Sequence, residues 1–448
     1  MSIDSPHDAA DHRLLNQLFA LAQQAVQQGD FVSAEQLCSS VLAGQPAHAG
    51  ALNFIVMRAI EKKEVAQARQ LTEQALAHAA TPELHFLHGR VLEALGDHAA
   101  ARAAFAAATE LDPRCLPALL WQAAQEEALS LDDACLRTSL YALQVAERSG
   151  VLDARERLPA ELRQRLSRAF AFTDARRDAA VDSALAPIRA RHGAGAVAHV
   201  DHALQASMGR RKITWPHPLQ RPTFLLLPGL EPRPWFDRDD FPFLAQIERH
   251  TDAIVEELLG VLADETRLAP YIDMSADAQA APVWQELNRS TRWSSYHLFR
   301  HGERIEEHAQ RCPRTMEALQ SIPLMQIPEH SPEALFSILK AGTHIPPHTG
   351  VINGRLTVHL PLIVPRDCGA LKAGGEAHAW VKGRCLIFDD SFVHEAWNTS
   401  DRDRAVLIFD IWDPRLSVPE REALSAAVAA IGHFNRTYGS DDPSQGAH

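Results

Sequence analysis

Two histidines and one arginine stand out in the stretch His348–Arg404, set among short aliphatic runs. Imidazole nitrogen is a common ligand for iron, zinc or copper. His348 and His394 are 46 residues apart, so they make a site only if the fold brings two different elements together. Arg404 follows ten residues later and opens the run AVLIFDIW, in which period-2 alternation puts Arg404, Val406, Ile408 and Asp410 on one face. An arginine directed into an apolar interior is costly unless it meets an anion.

The elements that must position these groups read as β. Aliphatic runs at 356–364, 385–388 and 405–412 alternate with turn clusters at Gly342, Gly350, Gly354, Gly374-Gly375 and Gly383, the pattern of an antiparallel barrel or double sheet. Strands are also expected at 295–299 and 334–339, with helical sequence between them at 301–322. An amphipathic helix over 241–262, with apolar residues every three or four positions, is expected to pack outside the barrel.

The words GTHIPPHTG, NGRLTVHLPLIVP and LIFDDSFVHEAWN, followed by the Arg404 strand, occur in this order in a stretch that resembles the aspartyl/asparaginyl β-hydroxylase family of Fe(II)- and 2-oxoglutarate-dependent dioxygenases. PWF (234–236), WSSYHLF (293–299) and Ser337 extend the resemblance to roughly residues 220–415. It implies a double-stranded β-helix (jelly-roll, cupin-like), with His348 and His394 as iron ligands and Arg404 on the distal carboxylate of 2-oxoglutarate. Ser337 and His359 match positions that line the 2-oxoglutarate pocket, and Trp293 a position near the substrate. The third ligand of a 2-His-1-carboxylate triad would fall at Gly350, which cannot coordinate; the family similarly dispenses with it. Some members carry a second 2-oxoglutarate arginine where this chain has Thr357, and Arg355, on the same strand face, is a candidate substitute. Asp389 and Asp390 are expected to cap the turn before His394 rather than to replace the absent carboxylate, and Asp410 to orient Arg404 or a histidine.

With 448 residues, 46% hydrophobic and 23% charged, the chain is long enough for two or three soluble domains. A net charge of −13 argues against a nucleic-acid-coating role. Six dispersed cysteines without a CxxC pair favour packing roles in a reducing compartment. An amino terminus without an apolar core, and no run of 18 apolar residues, lead us to expect a cytoplasmic protein without a transmembrane segment.

Upstream, GDFVSAEQL, KEVAQARQL and GDHAAARAAF recur at periods of 34 and 33, with Ala34, Ala68 and Ala101 in register and Pro46, Pro82 and Pro113 closing the units. This resembles tetratricopeptide repeats, although Lys63 stands where the turn glycine belongs. The histidines within the repeats share no ligand spacing and are expected to be solvated or hydrogen-bonded. The expected organisation is a multidomain α + β chain: an α-helical repeat solenoid at 1–147, a helical linker at 148–212 broken at Pro187 and Gly193, the β-domain at 213–416, and a C-terminal helix with a frayed tail at 417–448. The prolines between 216 and 234 mark the entry to the β-domain.

The function expected is hydroxylation of an unactivated C–H with release of succinate and CO2. By the resemblance the cofactors are Fe(II), 2-oxoglutarate and O2, and the carbon is the β-carbon of Asp or Asn in a peptide or protein recruited by the repeats. Alternatives are lipid acyl-chain hydroxylation, a metalloenzyme without 2-oxoglutarate, and a non-catalytic repeat protein with a degenerate β-domain. The repeats could equally serve only to stabilise the enzyme.

Overall fold

The computed structural model of the chain describes residues 6–274 and 282–439. Its contacts divide it into two units, one running to Asp178 and taking in the residues from Phe434, the other Ala179–His433.

The first unit is a series of antiparallel helices: α1 (Pro6–Gln27), α2 (Phe31–Gly44), α3 (Ala49–Glu61), α4 (Val65–His78), α5 (Pro82–Ala94), α6 (His98–Leu111), α7 (Leu116–Ala128) and α8 (Asp132–Arg148). Ala34, Ala68 and Ala101 are fully buried where helices approach closely. Asp30 and Asp97 accept backbone N–H groups of the helices they open, which satisfies donors a helix start leaves unpaired. The turns need a left-handed residue, and Gly29 and Gly96 supply it at φ 77°. Lys63 adopts the same conformation at φ 63°, so the departure in sequence leaves the turn unchanged. A fourth unit, unseen in the sequence, follows in register: Ser130 has φ 56° and Cys135 occupies the buried alanine position. His48 caps α3, while His88 and His98 bond Thr72 and Gln125.

The division at Asp178 differs from the boundary expected near 212. The end of α9 (Ala160–His192) and α10 (Ala198–Ser207) contribute Val181, Leu185, Ile188, Val200 and Leu204 to one apolar cluster with Leu225, Leu227, Ile352 and Leu424, so they share the β-unit's core. Pro187 does not end its helix. Its buried neighbours Leu185 and Ile188 hold α9 through it to Gly193, whose φ of 85° stops it.

The expected helix over 241–262 is two, α11 (Leu244–Glu248) and α12 (Thr251–Leu262). The Thr251 hydroxyl donates to the Glu248 carbonyl, competing with the backbone at the break. Helices α13 (Glu306–Arg311) and α14 (Pro313–Gln320) lie in the segment read as helical. A final helix, α15 (Val418–Tyr438), opens on a capping box in which Glu420 accepts both the backbone N–H and the hydroxyl of Ser417. The tail read as frayed lies outside the described residues.

Among the described residues twelve strands form two antiparallel sheets. They are β1 (Trp235–Phe236), β2 (Ala269–Pro270), β3 (Trp293–Arg300), β4 (Glu303–Arg304), β5 (Ala334–Leu339), β6 (Thr343–His348), β7 (Arg355–Ile363), β8 (Leu371–Ala373), β9 (Glu376–His378), β10 (Leu386–Phe388), β11 (His394–Asn398) and β12 (Arg404–Trp412). The larger sheet has the order β1-β10-β7-β12-β5-β3-β2, with β4 on β3, and the smaller β6-β11-β8-β9.

Period-2 alternation decides what each strand of the larger sheet offers. Leu356, Val358, Leu360, Phe336, Ile338, Leu407 and Phe409 point to the core beneath α11–α14. On the opposite face Arg355, Thr357, His359, Ser337, Arg404, Ile408 and Asp410 line a cavity. Trp293, Leu339, Phe388 and Val406 pack there against Ile345, Leu371, Ala373 and Ala396 of the smaller sheet.

All six cysteines are free thiols. No helix among the described residues is long and apolar enough to cross a membrane.

Candidate active site

The cavity between the sheets, about 290 Å³, gathers every site residue expected from sequence: His348, His394, Arg404, Ser337, His359, Arg355 and Trp293 all line it. His348 ends β6 and His394 begins β11, and pairing of these strands sets the two residues opposite one another. Their ring centroids are 4.0 Å apart. His348 Nδ1 lies 2.8 Å from the Pro346 carbonyl and His394 Nδ1 2.9 Å from the Phe392 carbonyl. A carbonyl only accepts, so both Nδ1 atoms carry the proton and both Nε2 lone pairs are left to bind. Burial is the main reason that both imidazoles resist protonation, His348 down to about 4, with His394 adding to the effect on it. Neutral imidazoles with the Nδ1–H tied down have the form a divalent metal requires.

Arg404 is 1% exposed. Its guanidinium lies over the Trp380 ring at 4.7 Å, and its Nε and Nη1 have no hydrogen-bond partner among the described residues. Burial lowers its pKa to about 10. Two neighbours offer further donors to the same space. Trp293 Nε1 donates to Ser337 Oγ at 3.1 Å, which leaves the Ser337 proton to point elsewhere. Trp380 Nε1 donates to His359 Nδ1 at 3.4 Å, so the His359 proton is on Nε2. Burial, and then the charge of Arg404, hold His359 neutral. A cation and two neutral donors beside a histidine pair suit an anion that reaches from one to the other.

Two expectations need correction. Asp410 does not reach Arg404 or either histidine; its carboxylate accepts from Ser331 Oγ at 2.9 Å and from the Glu333 N–H at 3.0 Å. The turn-capping role holds for Asp389, which accepts from Ser391 N–H and Gln220 Nε2, but not for Asp390. Asp390 turns into the cavity and pairs with Arg355 Nη2, while its Oδ1 is buried without a partner among the described residues. Arg355 is thus engaged by a carboxylate of the chain itself.

Gly350 explains this placement. A Cβ there would lie 2.3 Å from Asp390 Cγ, and the Gly350 N–H donates to the Asp390 carbonyl at 2.6 Å. The third-ligand position is therefore filled from behind by another residue's carboxylate.

Sequence reading also missed Tyr271, which stacks on Trp293 at 3.8 Å, and Trp284, 5.2 Å from His348. Trp380, under Arg404, left a trace in sequence as the one tryptophan in the stretch GGEAHAWVKGR (374–384); Tyr271 left none. Among the described residues no cluster of three or more His, Cys, Asp or Glu side chains forms a metal site.

Residues 248–414 match the family model described as aspartyl/asparaginyl beta-hydroxylase. The chain is 37% identical over 190 residues to the ornithine lipid ester-linked acyl 2-hydroxylase of Rhizobium tropici, covering 42% of this chain and 63% of that protein. It is 30% identical over 201 residues to human aspartyl/asparaginyl beta-hydroxylase, covering 44% and 25%. It is 32% identical over 212 residues to human aspartate beta-hydroxylase domain-containing protein 2, covering 46% and 54%. Each match spans less than two thirds of the relative's own length. A thermophilic tetratricopeptide-repeat protein of Thermus thermophilus is similar at 17% identity and a TM-score of 0.29, over 38% of this chain and 88% of that one.

Proposed function

Since residues 248–414 match the family model described as aspartyl/asparaginyl beta-hydroxylase, we propose that the chain is an Fe(II)- and 2-oxoglutarate-dependent dioxygenase on a double-stranded β-helix. The observation that carries this reading is the buried guanidinium of Arg404, whose Nε and Nη1 have no hydrogen-bond partner among the described residues, in one cavity with two imidazoles whose Nδ1–H groups are tied to carbonyls and whose Nε2 lone pairs are left to bind.

The residues present fit both groups. His348 and His394 would hold the iron through Nε2. Arg404 would pair with the distal carboxylate of 2-oxoglutarate, with the Ser337 hydroxyl and His359 Nε2–H as additional donors. When bound, iron and 2-oxoglutarate supply the oxidation by O2 that yields succinate, CO2 and a hydroxylated C–H. The chain's part is to orient and to exclude water. The Pro346 and Phe392 carbonyls fix the imidazole tautomers, Trp293 aims Ser337, Trp380 supports both Arg404 and His359, and the apolar wall of Ile345, Leu371, Phe388 and Ile408 surrounds the reacting space.

The primary substrate is proposed as the side chain of Asp or Asn in a peptide or protein, with the helical repeats as the recruiting surface. A second reading, an acyl chain, is favoured by the 37% identity to a lipid acyl hydroxylase. Anaerobic addition of Fe(II) and 2-oxoglutarate to the full chain tests the cofactors. A visible metal-to-ligand charge-transfer band is expected, and its absence at saturating ligand would refute the assignment.

A further inference from the structure

We propose that the segment 210–224, with Val351 beside it, is a docking surface for a lipid bilayer that carries anionic headgroups. The proposal is independent of the cofactor assignment.

Charge marks this segment in the sequence. Residues 202–230 contain no Asp or Glu, yet hold Arg210, Arg211, Lys212 and Arg221, in a chain of net charge −13. Nearby arginines meet a carboxylate, as Arg189 meets Asp201 and Arg238 meets Glu248. Here the acceptors are neutral. Arg211 donates to Gln205 Oε1 at 2.6 Å, and Arg221 to the His217 and Gln220 carbonyls at 2.7 and 2.8 Å. Among the described residues neither these two nor Lys212 pairs with a carboxylate.

The uncompensated cations stand with exposed apolar side chains. Trp215 is 38% exposed, Phe224 37% and Val351 43%. The Arg221 guanidinium lies 4.5 Å over the Trp215 ring, and the Phe224 N–H donates to the Val351 carbonyl at 3.1 Å, so these groups share one surface. Their neighbours Leu225 and Ile352 are buried in one apolar cluster, which fixes the patch from behind. Pro216, Pro218 and Pro222 restrict the backbone, so presenting Trp215 costs little further ordering. Tryptophan favours the boundary between headgroups and acyl chains, and basic side chains beside it add attraction to anionic lipid. Two such signals together hold a protein at a membrane where one alone holds it weakly. A nucleic acid would meet the cations but leave Phe224 and Val351 unused. Screening limits repulsion from the chain's other carboxylates to about 8 Å, so the local charge governs the contact.

The patch adjoins the candidate active site. The Thr223 N–H donates to the Gly350 carbonyl at 3.0 Å and the Val393 N–H to the Leu219 carbonyl at 2.7 Å, and both Gly350 and His394 line the cavity. A bilayer seated here lies beside the loops that follow His348 and precede His394.

The test is co-sedimentation of the full chain, without metal, with vesicles of phosphatidylcholine alone and of equal parts phosphatidylcholine and phosphatidylglycerol. Binding to the mixed vesicles is expected to be at least about tenfold tighter than to phosphatidylcholine, and to weaken as salt is raised. The double substitution Arg211→Gln, Lys212→Gln should lower it about tenfold or more. Trp215→Ala should lower it as well, with Trp215→Phe recovering part; circular dichroism checks that each variant is folded. No binding to the mixed vesicles, equal binding to both kinds, or undiminished binding in the folded double variant would overturn the proposal. A dimer in analytical ultracentrifugation that Trp215→Ala abolishes, while vesicle binding persists, would assign the patch to a second copy of the chain and overturn it too.

Discussion

The α-carbon of Gly350 faces the carboxylate of Asp390 so closely that a Cβ would come within 2.4 Å of both of its oxygens. The position two residues after His348, where a carboxylate ligand would sit in a facial triad, has no room for any side chain. Gly350→Ala should therefore displace Asp390 from Arg355 and cost about 1–3 kcal/mol through overpacking. A lowered unfolding midpoint for the β-unit in chemical denaturation would show it. Gly350→Asp should lower stability further without raising Fe(II) affinity; a gain in affinity would mean the new carboxylate reaches the metal.

The histidine pair leaves no redundancy. His348→Ala or His394→Ala should abolish 2-oxoglutarate turnover at limiting iron, because each removes one of two Nε2 donors. Turnover near that of the unaltered protein, in either variant, would end the two-histidine assignment.

For Arg404→Ala, an anion that binds in the cavity loses its cation, and breaking such a buried pair costs about 3–5 kcal/mol. That corresponds to a loss of roughly two to three and a half decades in 2-oxoglutarate affinity. Arg404→Lys should recover part of it, since an ammonium lacks the two-pronged fork. Arg355→Ala, by contrast, should leave 2-oxoglutarate affinity almost unchanged, because Arg355 is committed to Asp390. Anaerobic titration with Fe(II) measures all three, and a large loss in Arg355→Ala would make it a second clamp.

Protonation of His348 should oppose the fold. Its pKa falls to about 4 in the native state, chiefly by burial, against about 6.5 in an unfolded chain. The unfolded state binds more protons between these values, so this group's contribution to stability is complete above about pH 6.5 and is lost as pH falls towards 4. An NMR titration of the metal-free protein should find the His348 ring still neutral at pH 5; a normal titration midpoint would contradict the burial.

Lys63 holds a left-handed conformation that glycine adopts without strain. Lys63→Gly should stabilise the helical unit by about 0.5–1 kcal/mol. Calorimetry of the full chain would register it as a higher midpoint for the helical transition.

What the sequence determined by itself is local or periodic. Period-2 alternation put Arg404, Val406, Ile408 and Asp410 on one strand face, and the spacings of 34 and 33 residues put Ala34, Ala68 and Ala101 at one place in successive hairpins, because both follow from backbone geometry alone. The histidines and Arg404 were legible through ordered motifs. Tertiary structure decided the rest. Nothing in FDDSFVHE says which aspartate caps the turn and which enters the cavity; Asp389 and Asp390 are adjacent, and the choice depends on Gln220 and Gly350, far away in the chain. Whether Arg355 was free for a ligand depended on that same choice. The division at Asp178 was hidden for a similar reason: a helix looks alike in sequence whichever core buries its face, and only packing against Leu225, Ile352 and Leu424 assigns Leu185 and Leu204 to the β-unit. Long-range contacts carry no local period, and the charge balance of the cavity is made entirely of them.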